Sequence, residues 1–265
     1  MSAAAVEFPA SMYRSHPHLH ASECILLGYR GSIAHGTYEP NTEPGSIDDM
    51  DLMGICVPDL EHYFGLRQFG SRGTVEIVDD PWDIVLYEAR KALSLLAKAN
   101  PNILSLLWLP DDLYIHVEPA GQRLIDNRHL FATKAAYKPL IGYAHGQLSK
   151  MQRGVFKGYM GEKRRALVER YGYDTKNAAH AIRILRVGID FLRTGEMEVR
   201  REDRDELLAI KHGEWSLERV QQTANFLIGT AAEAIVVSPL PEQPDRDAIN
   251  RLCESVVSEA LGVAA

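Results

Sequence analysis

Short apolar runs separated by turns dominate the first half of the chain. Residues 24–27 and 52–57 are almost wholly apolar, and residues 84–86 form a third run of the same kind. Residues 74–78 alternate weakly, and the Asp79-Asp80-Pro81 turn after them indicates a hairpin with the third run. Runs of this length bounded by turn residues are typical of buried strands, so we predict a sheet in this half.

The pattern changes near residue 132 to the three- and four-residue spacing of amphipathic helices. Helices are predicted over residues 134–153, 176–192, 200–210 and 245–261, with another that begins at Ser216 and two earlier ones over residues 89–99 and 124–131. Asp174 or Thr175 is the expected N-cap of the helix that starts at residue 176, and Gly195 ends it. We therefore expect an α+β fold of two domains, a mixed sheet with flanking helices at residues 1–132 and a helical domain at residues 133–265.

Composition narrows the class of protein. The chain has 265 residues, of which 46% are hydrophobic and 25% charged, as in ordinary globular proteins. Its net charge of −7 excludes a general attraction to nucleic acid, although a local basic patch could still bind it. Cys24, Cys56 and Cys253 are too far apart for a disulfide framework or a zinc site. No apolar run approaches the ~18 residues of a membrane span, so we expect a soluble cytoplasmic protein.

The stretch from residue 25 to residue 57 combines a glycine turn with an acidic cluster. Asp49 and Asp51 lie two positions apart at the start of an apolar run, so strand alternation places both carboxylates on one face. Two neighbouring carboxylates repel each other unless a cation lies between them, and their hard oxygens suit Mg²⁺. Asp48 competes with this pair, but we interpret it as a carboxylate of the loop or rim. The Gly31-Ser32 turn offers N–H groups and a hydroxyl to phosphates.

Basic residues concentrate in the helical half. Residues 150–170 contain seven lysines and arginines against two glutamates, which indicates either a solvated helix face or a basic wall for phosphates. Lys150 belongs to this run. Lys176, His180 and Arg183 share one face of a predicted helix beside its apolar face. This arrangement suits phosphate or base contacts better than packing.

These motifs together resemble a known family. Gly31-Ser32, a turn-rich loop and Asp49-x-Asp51 on an apolar strand resemble the nucleotidyltransferases of the DNA polymerase beta superfamily. More narrowly, the chain resembles the RNA-ligase-associated predicted nucleotidyltransferase family. Later stretches match that branch as well: residues 83–88, 100–104 and 172–176, with His180 and Arg183. The resemblance spans roughly residues 24–252, although the loop before Asp49 is longer than the family leads us to expect.

The resemblance implies a fold, an activity and a set of site residues. The first domain is expected to be the catalytic, polymerase-beta-like one, and the helical domain to bind substrate or nucleotide. Asp49, Asp51 and Asp83 would hold two Mg²⁺ ions, for which Mn²⁺ could substitute. Glu76 is an alternative third carboxylate and Glu88 a weaker one.

The resemblance also implies the substrates. Gly31 and Ser32 would bind the β- and γ-phosphates of a nucleoside triphosphate. The groups that would neutralise the leaving pyrophosphate are Lys150, Lys176, His180 or Arg183. The expected reaction moves a nucleoside monophosphate to a hydroxyl of an RNA end, a protein or a small molecule. The alternative is a catalytically weak nucleotide- or RNA-binding regulatory module in RNA repair or phage defence.

Overall fold

The computed structural model of the protein describes residues 8–40, 48–152 and 162–263, without the side chains of residues 149–152 and 162–164. In this part of the chain five strands form one sheet in the order β3-β4-β2-β1-β5. The strands are β1 (Cys24–Tyr29), β2 (Met50–Cys56), β3 (Thr74–Asp79), β4 (Trp82–Glu88) and β5 (Tyr114–Val117).

The sheet is mixed. β2 and β4 run parallel, whereas β1 pairs antiparallel with both β2 and β5. The predicted hairpin is confirmed, because β3 and β4 pair antiparallel on either side of Asp80 and Pro81. The edge strand β5 was not predicted from the sequence. β5 has four residues, interrupted by His116 and all only half-buried, so it shows neither the apolar run of β1, β2 and β4 nor the alternation of β3.

Short helices flank the sheet in the first half of the chain. They are α1 (Ala10–Ser15), α2 (Gly31–His35), α3 (Glu61–Phe64), α4 (Ala89–Leu96), α5 (Pro101–Leu104) and α6 (Pro119–Asp126). The predicted helix over residues 124–131 is wrong in position. α6 begins earlier, at Pro119, whose fixed φ suits a first helical residue, and a separate 3-10 turn covers Arg128–Phe131.

The second half is helical. Its helices are α7 (Tyr137–Gln152), α8 (Glu162–Tyr171), α9 (Thr175–Thr194), α10 (Arg204–Lys211), α11 (Leu217–Val237) and α12 (Arg246–Leu261). Asp174 is the N-cap of α9 and accepts a hydrogen bond from the backbone N–H of Asn177, while Gly195 ends the helix at φ 77°. The helix predicted from residue 200 starts only at Arg204.

The central helix of the second half is α9, whose apolar side packs against α7, α10 and α11. The last helix, α12, returns to the first half and packs on α4 and α6, where Arg123 Nε lies 2.7 Å from Glu259 Oε2. The buried apolar residues form one contiguous core that runs from the sheet into α9. The division of the chain at residue 132 stays a prediction. Within the described residues, no helix has the length and apolar character needed to cross a membrane.

Candidate active site

Strand pairing brings two of the predicted carboxylates together. Asp51 on β2 is the direct neighbour of Asp83 on β4 in the parallel register. The two side chains are 28% and 42% exposed, so both can be reached from solvent. The guanidinium of Arg30 lies between them, with Nη2 3.4 Å from Asp51 Oδ1 and 3.4 Å from Asp83 Oδ1.

The environment of Asp51 disfavours its charged form. Burial raises the pKa of this carboxyl to about 6, and the nearby charges of Asp83 and Asp49 add to the rise. The positive charges of Arg30 and Lys176 act in the opposite direction. Bringing a further cation to Asp51 would therefore relieve an unfavourable negative charge.

Asp49 and the two alternative carboxylates lie in different surroundings. Asp49 directly precedes β2, is exposed, and lines the same cleft as Asp51. Glu76 is on β3 opposite Val85, one strand further from Asp51 than Asp83 is. Glu88 is 6% exposed and caps α4 by accepting from the backbone N–H groups of Arg90 and Lys91. Among the three candidates for the third carboxylate, Asp83 is the one beside Asp51.

Position 31 requires a glycine because the backbone there lies directly against the Asp51 carboxylate. Its φ is +63°, in the left-handed region, and a Cβ added there would lie 2.2 Å from Asp51 Oδ2. Any side chain at this position would push the carboxylate away. Gly31 begins α2 and Ser32 follows it, and both residues line the cleft next to Asp49 and Asp51.

The cationic residues predicted on α9 also line this cleft. Lys176, His180 and Arg183 are all among its lining residues. Arg183 Nη2 lies 3.3 Å from His180 Nδ1, and the Tyr143 ring packs edge-on against His180 with 5.3 Å between centroids. Burial, followed by the charge of Arg201, lowers the pKa of Arg183 to about 10, so it remains charged at neutral pH. The side chain of Lys150 lies outside the described residues.

Asp48 lies in the loop just before β2, which agrees with the loop interpretation, but it is not a solvated rim carboxylate. Asp48 is 1% exposed, and its Oδ2 lies 2.6 Å from Nζ of Lys211 and accepts from the Glu39 backbone N–H at 3.1 Å. Its Oδ1 lies 3.3 Å from Nζ of Lys176. Two lysines from α9 and α10 therefore compensate the buried charge. No local sequence pattern indicates this ion pair, because Lys211 is 163 residues away from Asp48 in the chain.

His35 is a cleft residue that the sequence did not single out. It is the last residue of α2 and lines the cleft. Burial, and then the positive charges of Arg183 and His180, hold the pKa of His35 well below its ordinary value. The imidazole is therefore neutral at pH 7 and can accept as well as donate a hydrogen bond.

The cleft has a volume of about 410 Å³, within the range of small-molecule sites. Carboxylates from the start of β2 meet cations from α9 and α10 in this one space. An anionic ligand could contact the cations while a divalent cation balances its remaining charge at the carboxylates. The arrangement thus suits a polyphosphate chain.

Of three comparisons with known proteins, one found a match. Searches of the curated proteins and of the solved structures gave no match. The model of a family described as RNA repair pathway DNA polymerase beta family matches residues 10–255. The match confirms the resemblance drawn from Gly31-Ser32 and Asp49-x-Asp51, and it supports a nucleotidyltransferase-type role. Since the match covers nearly the whole chain, the protein belongs to the RNA repair pathway DNA polymerase beta family.

Proposed function

We propose that the protein is a metal-dependent nucleotidyltransferase that moves a nucleoside monophosphate from a nucleoside triphosphate to a hydroxyl acceptor. The observation that carries this proposal is the shared cleft, in which Asp49 and Asp51 lie with Lys176, His180 and Arg183. A site with both kinds of charge can bind a triphosphate and its counter-cation together.

The residues at the sheet fit Mg²⁺. The donors are carboxylate oxygens, and Gly31 leaves beside Asp51 a space that any Cβ would fill. Asp49, Asp51 and Asp83 would hold two ions, and Mn²⁺ could replace Mg²⁺. Among the described residues no three His, Cys, Asp or Glu side chains are grouped closely enough to hold a metal by themselves, so phosphate oxygens would complete the coordination. When bound, the ions would neutralise phosphate charge and lower the pKa of the acceptor hydroxyl.

The chain's own residues bind and orient the triphosphate. Gly31 and Ser32 would contact the β- and γ-phosphates through the backbone and the Ser32 hydroxyl. Lys176, His180 and Arg183 would neutralise the charge that develops on the pyrophosphate, and Lys150 is a further proposed contributor. The acceptor oxygen forms a bond to the α-phosphorus while the bond from that phosphorus to the bridging oxygen breaks. Pyrophosphate leaves, and the proton of the hydroxyl passes to solvent.

The direct test is label transfer from each α-labelled nucleoside triphosphate with Mg²⁺, in the presence of total RNA or total protein. Wild type is compared with Asp49→Asn/Asp51→Asn and with Glu214→Gln/Glu233→Gln, two exposed carboxylates outside the cleft. We expect transfer with wild type and with the Glu control, and none with the Asp pair. The labelled product identifies the acceptor as RNA, protein or small molecule. Full transfer by the Asp variant would refute the proposal.

One observation favours the alternative, a nucleotide- or RNA-binding regulatory module. Arg30 already supplies a positive charge to both Asp51 and Asp83, and such a module would need no metal there. Triphosphate binding that survives the Asp49→Asn/Asp51→Asn change, with no transfer by wild type to any acceptor, would support this alternative.

A further inference from the structure

Arg30 occupies the space between the two carboxylates that adjoin each other in the sheet. Its Nη2 lies 3.4 Å from Asp51 Oδ1 and 3.4 Å from Asp83 Oδ1. The backbone position of Arg30 is set by the sheet, because its N–H donates to the Asp51 carbonyl at 2.9 Å. The guanidinium is therefore presented to the carboxylates by strand pairing and not by a loop alone.

The contact reduces the repulsion between two carboxylates that the strand register places side by side. Neighbouring strands are about 4.8 Å apart, so in-register carboxylates repel each other strongly unless a positive charge lies near both. One guanidinium, whose Nη2 is equally distant from Asp51 Oδ1 and Asp83 Oδ1, reduces this repulsion.

The same contact is loose enough to be broken. A distance of 3.4 Å exceeds the 2.7–2.9 Å typical of charge-assisted hydrogen bonds. In addition, Nε of Arg30 is buried and has no hydrogen-bond partner in the described part of the protein. A guanidinium with an unsatisfied buried donor loses little when it moves to a place where that donor can be paired.

We propose that Arg30 and a divalent cation compete for Asp51 and Asp83, so that cation binding displaces the Arg30 guanidinium. The inference rests on the proposed metal dependence and goes beyond it by assigning a role to Arg30. Asp51 and Asp83 would hold the cation, whose charge would then replace the positive charge that Nη2 of Arg30 now places beside both carboxylates. Arg30 therefore weakens binding of the cation alone. A nucleotide brings phosphate ligands and negative charge, which restore the affinity for the cation. Cation and nucleotide therefore bind together.

The test measures binding of Mn²⁺ to the 265-residue chain by electron paramagnetic resonance, first without nucleotide and then, for wild type, also with a nucleoside triphosphate. Wild type is compared with Arg30→Gln, with Arg30→Lys and with Arg67→Gln, a control whose side chain is 64% exposed and pairs with Glu61 and Asp59. Loss of one positive charge about 4 Å from the ion should tighten Mn²⁺ binding about fivefold or more in Arg30→Gln. Arg67→Gln should bind as wild type does, and Arg30→Lys should return toward the wild-type affinity.

The outcomes separate this inference from the proposed function. If the Arg30→Gln variant binds Mn²⁺ no more tightly than wild type, the proposed competition is refuted. The nucleotidyltransferase proposal is unaffected by that result. Failure of wild type to bind Mn²⁺ even with nucleotide would overturn both. Should Arg30→Gln not fold, the Nε–Hε nuclear magnetic resonance signal of Arg30 in wild type is followed during a Mg²⁺ titration. Competition requires this signal to shift, and an unchanged signal would refute it.

Discussion

Lys211 Nζ lies 2.6 Å from Asp48 Oδ2, and this ion pair joins the start of β2 to the end of α10. The Asp48 side chain is fully buried and that of Lys211 is 13% exposed. Lys176 on α9 adds a second cation 3.3 Å from the other carboxylate oxygen. The residue that precedes Asp49 is thus held by two helices of the second half.

Replacing Asp48 with Asn should destabilise the protein. The change leaves Lys211 partly buried with Glu39 as its remaining carboxylate, and removal of one partner of a buried pair costs about 3 kcal/mol. Urea unfolding of the two proteins measures the difference. Glu39→Gln is the control, since Glu39 is 34% exposed and its loss should cost clearly less. Equal stability of Asp48→Asn and wild type would contradict the importance of this pair.

Replacing Gly31 with Ala should abolish most of the activity at a modest cost in stability. Ala is strained at φ +63°, which costs about 1 kcal/mol, and its Cβ would displace the Asp51 carboxylate. Gly36 provides a matched control in the same helix region, because it has φ +76° but a Cβ added there would lie 3.7 Å from the nearest described atom, Cγ of Arg200. Gly36→Ala should lose similar stability and keep its activity. Steady-state transfer rates together with thermal unfolding distinguish the two effects.

The charge on Asp51 should make stability depend on pH. The unfolded chain loses this proton near the ordinary pKa of 3.8, whereas the folded protein holds it up to about pH 6. Between these values the folded state binds more protons, so the contribution of Asp51 to the free energy of unfolding falls as pH rises. Asp51→Asn should therefore be more stable than wild type at pH 7, by about 1–2 kcal/mol, and nearly equal to it at pH 4.

Chemical denaturation at both pH values, without divalent cations, measures this difference. A stabilisation that is the same at pH 4 and pH 7 would contradict the role of ionisation. The raised pKa also predicts that transfer activity increases between about pH 5 and pH 7, since the ionised carboxylate is the form that binds a cation.

Replacing Arg183 with Gln should weaken triphosphate binding. In the described part of the chain Arg183 contacts His180 and has no carboxylate ion pair, so its charge is available to a ligand in the cleft. Loss of one charge-assisted hydrogen bond corresponds to about tenfold in the dissociation constant. Isothermal titration calorimetry with a non-hydrolysable nucleoside triphosphate measures this dissociation constant. Arg193→Gln on the same helix is exposed and outside the cleft, and it should bind as wild type does.

Several elements could be predicted because their signals are local. The apolar run of β2, the turn between β3 and β4, and the spacing of α9 with Asp174 before it and Gly195 after it all lie within a few residues of what they determine. The motif Gly31-Ser32 with Asp49-x-Asp51 likewise pointed to the family that the comparison confirmed. The strand β5 was not predicted because its four half-buried residues show no clear alternation of apolar and polar positions.

The relations between distant residues were decided by the tertiary structure alone. The sequence by itself determined that Asp49, Asp51 and Asp83 stand at strand starts and that Lys176, His180 and Arg183 share a helix face. It could not determine that β2 and β4 pair in parallel with Asp51 beside Asp83, or that Arg30 lies between them. It placed Asp48 in a loop but did not reveal that its carboxylate is buried, because burial of a charge depends on its counter-charges, and these come from α9 and α10. Local periodicity reports which face of an element is apolar, whereas packing of whole elements decides which charges meet.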